Sequence, residues 1–514
     1  MKKFLLKLRM ASRNMAILLL LLIQLALPIA AYFLLSYLEA AVLIYYLVAL
    51  VLYIMSIVFV VKIIYSQEDP EFRIPWLFVL LVIPVVGVII YLIFKQKGLR
   101  YRQRKMLNDI REAWTPYFKD KITNDKRYDT SDNQPIAFLE NVADFNAHKN
   151  NRVTYYKCGE EFFPALIKAL EEAKEFIFME FFIIRDGQEW EKIHDVLKRK
   201  AQEGVEIRLL YDDFGCFKYL PAYYARELRK EGIQAYRFNK VGIFLRGSYN
   251  NRSHRKIAVI DHKYGFTGGM NLGDEYANVI HEFGYWKDAM VRVEGSCINN
   301  MIALFLQNYD LNRRQISDYA KYLNYTYPIY DSNSLIYFFG TGPEMITPIR
   351  VGEQNYVNII ETATKSLYIS TPYLIPSLDL MHALERAALR GVDVHLIVPG
   401  IPDKKLVYLV AKFHFQPLLQ SGVKIYTYTP GFNHMKAMLA DDSVAFVGTI
   451  NMDYRSLVHH FECGLTLVHD PILKEMKLDF EKMVNESQRV PQDAHLNGGQ
   501  KVVCALLRLF MPLL

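Results

Sequence analysis

Cysteine is scarce in this chain of 514 residues: there are five, at 158, 216, 297, 463 and 504, with no C-x-x-C pair and no spacing that suits a metal. A disulfide framework and a zinc module are thereby excluded, and the thiols read as buried groups in a reducing compartment. Excess positive charge is missing from the larger part of the chain. Residues 1–105 carry 13 Lys or Arg against 4 acids, which leaves 48 basic against 50 acidic residues in 106–514 out of totals of 61 and 54. A nucleic-acid enzyme, whose catalytic domain is itself basic, does not fit that distribution. Charge of either sign is missing from three runs, 14–38, 40–61 and 74–94. Each exceeds the roughly 20 residues needed to cross a bilayer, so the sequence predicts N-terminal transmembrane helices rather than a cleaved leader.

What is present is a duplicated pattern. Counting from His254, the chain places Lys256 at +2, Asp261 at +7, Gly268 at +14, Asn271 at +17 and Glu282 at +28; counting from His434, the same ruler finds Lys436, Asp441, Gly448, Asn451 and Glu462. Residues two apart on a strand share a face, so each His emerges beside its Lys. A turn at the Asp then returns the chain, bringing the Asn back near the His. Each copy gathers an imidazole, an ammonium, a carboxamide and a carboxylate. One such cluster is half a site.

If the copies pack about a pseudo-twofold axis, two imidazoles face one pocket lined by two Lys and two Asn. That pocket suits a phosphodiester. One ring attacks phosphorus while the other, protonated, donates to the leaving alkoxide; Lys256, Asn271, Lys436 and Asn451 hold the non-bridging oxygens. No metal or other cofactor is needed. Glu282 and Glu462 are expected to accept from the second nitrogen of their histidines and fix the tautomer. Asp261 and Asp441 belong to the motif, but their turns carry them away from the His face, so they are expected to support the fold. His262, His281, His459 and His460 lack a full set of partners and receive no role.

The twofold HxK(x4)D(x6)G-x-x-N pattern resembles the phospholipase D superfamily, and the words RGSYNNRSHRKIAVID, TGGMNLGDEY, FGYWKDAMVRVEG, FNHMKAMLADD and VGTINMDYRS resemble the bacterial cardiolipin synthases within it. The resemblance implies a catalytic set of His254, Lys256, Asp261, His434, Lys436 and Asp441. It also implies transfer of a phosphatidyl group between two phosphatidylglycerol molecules through a phosphohistidine, releasing glycerol and forming cardiolipin. By position, His254 would carry the intermediate and His434 would act as acid and then base; spacing alone leaves the two interchangeable. A phosphodiester hydrolase, differing only in water reaching the intermediate, is the alternative, and an inactive lipid-binding protein is a third. Two departures stand out: Gly269 occupies a position often held by Ser, with Thr449 in the second copy, and His460 precedes Phe461 where a smaller polar residue is expected.

The organisation follows: a membrane region (1–105), a connector (106–151), a first lobe (152–325), a second lobe (335–485) and an apolar tail (486–514). FIFMEFFII, EWEKIHDVLKRKAQEG and VEIRLLYDD alternate as strand, helix and strand, and SLYISTPYLI, LMHALERAALRG and VDVHLIVPG repeat them. The expected fold is therefore α/β, two duplicated lobes with mixed, largely parallel sheets. Basic clusters precede the first apolar run and follow the third, and both belong in the cytoplasm. Three full spans cannot satisfy that, so one run should lie in or re-enter the membrane: the first, with Pro28, or the third, with Pro84 and Gly87. The catalytic part is expected on the cytoplasmic face.

Overall fold

The computed structural model describes residues 42–66, 68–95, 101–118, 131–242, 250–343 and 349–508, together with Ala26. It divides into two compact units, one of residues 1–98, 241–250 and 505–514, the other of 99–240 and 251–504. In the first unit, the helix Val42–Ile64 takes up the second apolar run. Its 23 residues span about 34 Å at 1.5 Å each, and Ile44, Val51, Ile54 and Val58 point outward. Among the described residues it is the one helix long and apolar enough to cross a bilayer.

The third apolar run does not form a single rod. It is split into Pro70–Val82 and Pro84–Phe94 by Ile83, which leaves the helical region at φ −132°. Pro84 has no N–H to offer and disfavours helix at the residue before it, which is why the break falls there. At 13 and 11 residues, neither piece is long enough to cross. A Cβ on Gly87 would stand 2.5 Å from the Val79 carbonyl, so only glycine permits this approach. The first apolar run, 14–38, lies outside the described residues apart from Ala26.

The second unit is built on two sheets with one plan. In the first lobe the strands are β1 (Arg152–Tyr156), β2 (Phe176–Phe181), β3 (Glu206–Asp212), β4 (Gln234–Phe238), β5 (Ile257–Ile260), β6 (Tyr264–Gly268), β7 (Tyr285–Lys287) and β8 (Met290–Glu294). In the second they are β9 (Leu335–Thr341), β10 (Ser366–Ser370), β11 (Asp393–Pro399), β12 (Lys424–Tyr428), β13 (Gly431–Asn433), β14 (Ala437–Ala440), β15 (Val444–Gly448), β16 (Glu462–Val468) and β17 (Ser487–Arg489). The orders, β4-β3-β2-β5-β6-β8-β1 and β12-β11-β10-β14-β15-β16-β9, match strand for strand; β17 extends the second sheet beyond β12. Both sheets are mixed, but the parallel share is smaller than the alternation suggested. Within these two sheets parallel pairing is confined to β2-β3-β4 and β10-β11-β12, while β7 and β13 form a separate two-stranded parallel ribbon. The motif hairpins β5-β6 and β14-β15 add antiparallel halves, because a short turn can only reverse the chain.

Those turns are where the motif aspartates sit. Asp261 and Asp441 have φ of 50° and 51°, and each carboxylate reaches back to the start of a neighbouring strand. Asp261 accepts from the backbone N–H groups of Lys174, Glu175 and Phe176; Asp441 accepts from those of Thr364, Lys365 and Ser366. They fasten β2 and β10 to the hairpins and touch no motif His, Lys or Asn. Asp261→Ala should therefore lower stability by about 1–2 kcal/mol, a figure reduced for partial exposure, and leave the turnover of folded protein intact. Thermal unfolding in detergent alongside an activity assay checks both halves.

Segments ahead of the first lobe pack on this unit. Trp114, at the end of the helix Tyr101–Trp114, is fully buried with its ring 5.3 Å from Phe145, and the N–H and C=O of His148 pair with Ile336. All five cysteines are free, and Cys463 packs against Thr267 of the other lobe at 3.6 Å.

Candidate active site

Each catalytic-type histidine is delivered by a segment clipped to the other lobe. The His254 N–H donates to the Phe461 carbonyl at 2.8 Å, and the His434 N–H donates to the Lys287 carbonyl at 2.7 Å. Ser253 bridges Phe461 in parallel, and β13 pairs in parallel with β7. The next residues after Phe461 and Lys287 are Glu462 and Asp288, so each clip places a carboxylate beside the opposite histidine. His254 Nδ1 lies 2.9 Å from both oxygens of Glu462, and His434 Nδ1 lies 2.6 Å from Asp288 Oδ2. The carboxylates are exchanged between the copies.

This corrects the sequence expectation in two respects. Glu462 serves His254 instead of its own copy's His434. Glu282 serves neither: it is exposed and 3.8 Å from Arg185. The residue equivalent to Glu462 is Asp288, because Gly269 N–H bonds the Ala289 carbonyl as Thr449 N–H bonds the Cys463 carbonyl, both at 2.9 Å. Gly269 and Thr449 are 180 apart but Ala289 and Cys463 are 174 apart, so the first copy carries six extra residues in its loop. Asp288 was missed for that reason.

The same register explains Gly269. A Cβ there would lie 1.9 Å from Asp288 Oδ1, leaving no room for a side chain. In the second copy Thr449 Oγ1 instead donates to Glu462 Oε2 at 2.5 Å, and the Ser456 hydroxyl donates to Oε1. Glu462 is thus wrapped in donors, whereas Asp288 has the Ala289 N–H at 2.9 Å and the His434 ring. Burial works against the Glu462 carboxylate, but His254 and the hydrogen bonds it receives hold it well below its usual range. Burial pushes Asp288 up to about 6 although Lys436 and Lys256 pull the other way.

His254, Lys256, Asn271, His434, Lys436 and Asn451 are all buried. Burial holds His254 down to about 3 against the pull of Glu462, and holds His434 well below its usual value with the charges of Lys436 and then Lys256 adding to it. The Lys256 charge therefore reaches the histidine of the other copy. Burial also lowers Lys256 to about 8 and Lys436 to about 7. Each ammonium spends one proton on the carbonyl of its own motif histidine, Lys256 at 2.6 Å, and has others for an anion. Asn271 is held by the Ile183 N–H on its oxygen and by donation to the Tyr276 hydroxyl at 2.8 Å. Asn451 has a buried side-chain oxygen without a hydrogen-bond partner. Aromatic rings wall the site: Phe182 lies 4.9 Å from His254, and Trp286 and Tyr276 lie 5.3 and 5.8 Å from His434.

His460 also stands at the site, its ring 5.6 Å from His254 and its Nδ1 3.5 Å from Glu462. Donor atoms of His254, His460 and Glu462 lie within 4.8 Å of one another, near enough to share an ion. The Glu462 oxygens already accept from His254, Thr449 and Ser456, and those hydroxyls would have to give way first.

Two segments, 166–290 and 356–484, match the family described as cardiolipin synthase, PLD-like domain, and 51–96 match the phospholipase D-nuclease N-terminal family. The chain is 32% identical over 478 residues to a cardiolipin synthase of Halalkalibacterium halodurans, covering 90% of this chain and 93% of that one. It is 33% identical to cardiolipin synthase 2 of Bacillus cereus, covering 87% and 88%, and 39% identical to an uncharacterized protein of Streptococcus mutans, covering 88% and 99%. The crystal structure of a phosphatidylserine synthase from Haemophilus influenzae shares the fold, with a TM-score of 0.55 at 17% identity, over 74% of this chain and 97% of that one. With its duplicated lobes and paired His-Lys clusters, the chain belongs to the cardiolipin synthase family of phospholipase D-like proteins.

Proposed function

We propose that this protein is a membrane-bound phosphatidyltransferase that joins two phosphatidylglycerol molecules into cardiolipin and releases glycerol. The observation that carries this reading is the exchange of carboxylates, which ties two imidazoles from two copies into one buried cluster with two ammonium groups. His254 is the nucleophile. Its Nδ1–H is directed at an ionised Glu462, so the lone pair of Nε2 is free to attack phosphorus. Burial and the lysine charges keep His434 neutral before substrate binds. Binding of the anionic phosphate offsets those charges, so His434, bonded to Asp288, takes up a proton with the substrate. It gives that proton to the departing glycerol oxygen and takes one from the acceptor hydroxyl. Lys256, Lys436, Asn271 and Asn451 hold the phosphoryl oxygens as charge builds.

Hydrolysis would need only water in place of the acceptor. Labelled phosphatidylglycerol incubated with the full-length protein in mixed micelles containing a chelator distinguishes the outcomes: glycerol with cardiolipin supports transfer, and phosphatidic acid alone would overturn it. The N-terminal region anchors the protein as a multi-pass segment with the catalytic body in the cytoplasm, as the basic clusters 2–13 and 95–105 favour. The split of the third apolar run at Ile83 fits a re-entrant segment there.

Rate against pH should be bell-shaped. As pH falls through about 6, Asp288 takes up a proton and ceases to accept from His434. As pH rises through about 7 and about 8, Lys436 and then Lys256 lose their charge and their hold on phosphate. Thus kcat/KM should peak between these values, with the alkaline loss in KM. Bound anionic lipid favours the charged lysines, so kcat should persist to higher pH than kcat/KM. Coincident profiles for both constants would contradict this assignment.

A further inference from the structure

The reaction proposed above involves two phosphates. One is attacked; the other belongs to the acceptor and stays one glycerol away from the new bond. Lys256 and Lys436 face the first, so the acceptor phosphate requires a cation farther out. Among described cations near the cluster, Arg185 is engaged by Glu275 at 3.3 Å and Glu282 at 3.8 Å, and Arg252 by Asp212 at 3.6 Å.

Lys404 is placed differently. Its side chain is 58% exposed, its ammonium lies 4.7 Å over the Tyr373 ring and 3.2 Å from the Tyr373 hydroxyl, and the nearest carboxylate, Asp403, is 3.9 Å away. The loop carrying it is anchored beside the motif, since the Ile401 N–H donates to the Gly431 carbonyl three residues before His434. Tyr373 donates to Asp403 at 2.6 Å and packs on the core cluster that joins Tyr276 and Trp286 of the first lobe to Phe432 of the second. Two residues after Tyr373, the Ile375 N–H bonds the Met452 carbonyl, next to Asn451. A line of groups thus leads outward from the phosphate pocket: Asn271, Tyr276, Tyr373, Lys404. The Lys404 charge also reaches inward and helps depress His434.

We propose that Lys404 binds the phosphate of the acceptor lipid while Asp403 and Tyr373 bind the glycerol hydroxyl that does not react. The ligand class is a glycerophosphoryl headgroup bearing a free primary alcohol, and the assignment rests on the transferase reading. With this headgroup seated, the primary hydroxyl attacks phosphorus of the phosphohistidine. A P–O bond forms, the P–N bond to His254 breaks, and the hydroxyl proton passes to His434. A phosphate held by one charge-assisted contact at its far end aligns the alcohol without touching the reacting atoms.

The test uses full-length protein in phosphatidylglycerol micelles with ethanol as a competing neutral acceptor, scoring the ratio of cardiolipin to phosphatidylethanol. Ethanol has no phosphate to bind. Lys404→Ala should lower the ratio about tenfold, Lys404→Glu should lower it further, and Lys404→Arg should restore most of it. A merely structural role would reduce both products together and leave the ratio fixed. Wild-type protein yielding cardiolipin, with the same ratio in Lys404→Ala, would overturn this assignment alone. Wild-type protein yielding phosphatidylethanol but no cardiolipin would overturn the transferase reading and this one with it.

Discussion

His254→Ala should reduce turnover by at least about a thousandfold and abolish phosphate trapping on the protein, because the attacking nitrogen is gone. His434→Ala should be as slow on lipid for a different reason: the ring that protonates the leaving oxygen is missing. The two variants separate on a phosphodiester with an activated aryl leaving group, which departs without a proton. On that substrate His434→Ala should give a burst of aryl alcohol and a stable phosphohistidine, whereas His254→Ala should give neither. A burst in His254→Ala would move the nucleophile to His434. The preference for His254 rests on the pairing described above, with Nδ1 2.9 Å from a Glu462 that stays ionised, while Asp288 beside His434 holds a proton more readily.

Glu462→Gln should cost about a hundredfold or more in kcat with little change in fold. A carboxamide presents an N–H as well as an oxygen, so His254 can adopt the tautomer with its proton on Nε2. That tautomer has no lone pair facing phosphorus. Asp288→Asn should impair proton transfer at His434 in the same way, and the aryl substrate should rescue it as it rescues His434→Ala. Glu282→Gln should leave kcat within about twofold, since its carboxylate is exposed and its cation, Arg185, also has Glu275. Equal losses at Glu282 and Glu462 would refute the exchanged arrangement.

Much of this was legible in the residues themselves. The alternation of buried strands and amphipathic helices marked both lobes, and identical spacing from His254 and His434 marked the repeat. The turn geometry also showed that Asp261 and Asp441 leave the His face, and both carboxylates do cap strand starts. The antiparallel halves were harder to read, because a buried strand has the same hydrophobic pattern whichever way its neighbour runs. The break in the third apolar run was signalled by Pro84 and Gly87, though hydrophobicity alone counted it as one span.

The carboxylate partners show where fixed spacing stops being informative. Between the copies, corresponding elements drift from 190 residues apart at β2 and β10 to 187 at β3 and β11 and 180 at the motif. Extending a fixed 180 past the Asn selected Glu282; following the drift to 174 selects Asp288. Nor could spacing within one copy reveal that the partner lies in the other. That follows from the clip of Ser253 to Phe461 and of β13 to β7, which are contacts between distant parts of the chain.

Crossed carboxylates leave neither lobe with both a histidine and that histidine's acceptor. A pair of identical half-length chains joined by the same clips would be symmetrical by construction. Two copies within one polypeptide are free of that constraint. Here one side sets Gly269 against the shorter Asp288, while the other sets Thr449 against the longer Glu462. The outcome is one buried cluster whose two acids differ in length and in proton affinity, Glu462 held low and Asp288 pushed up.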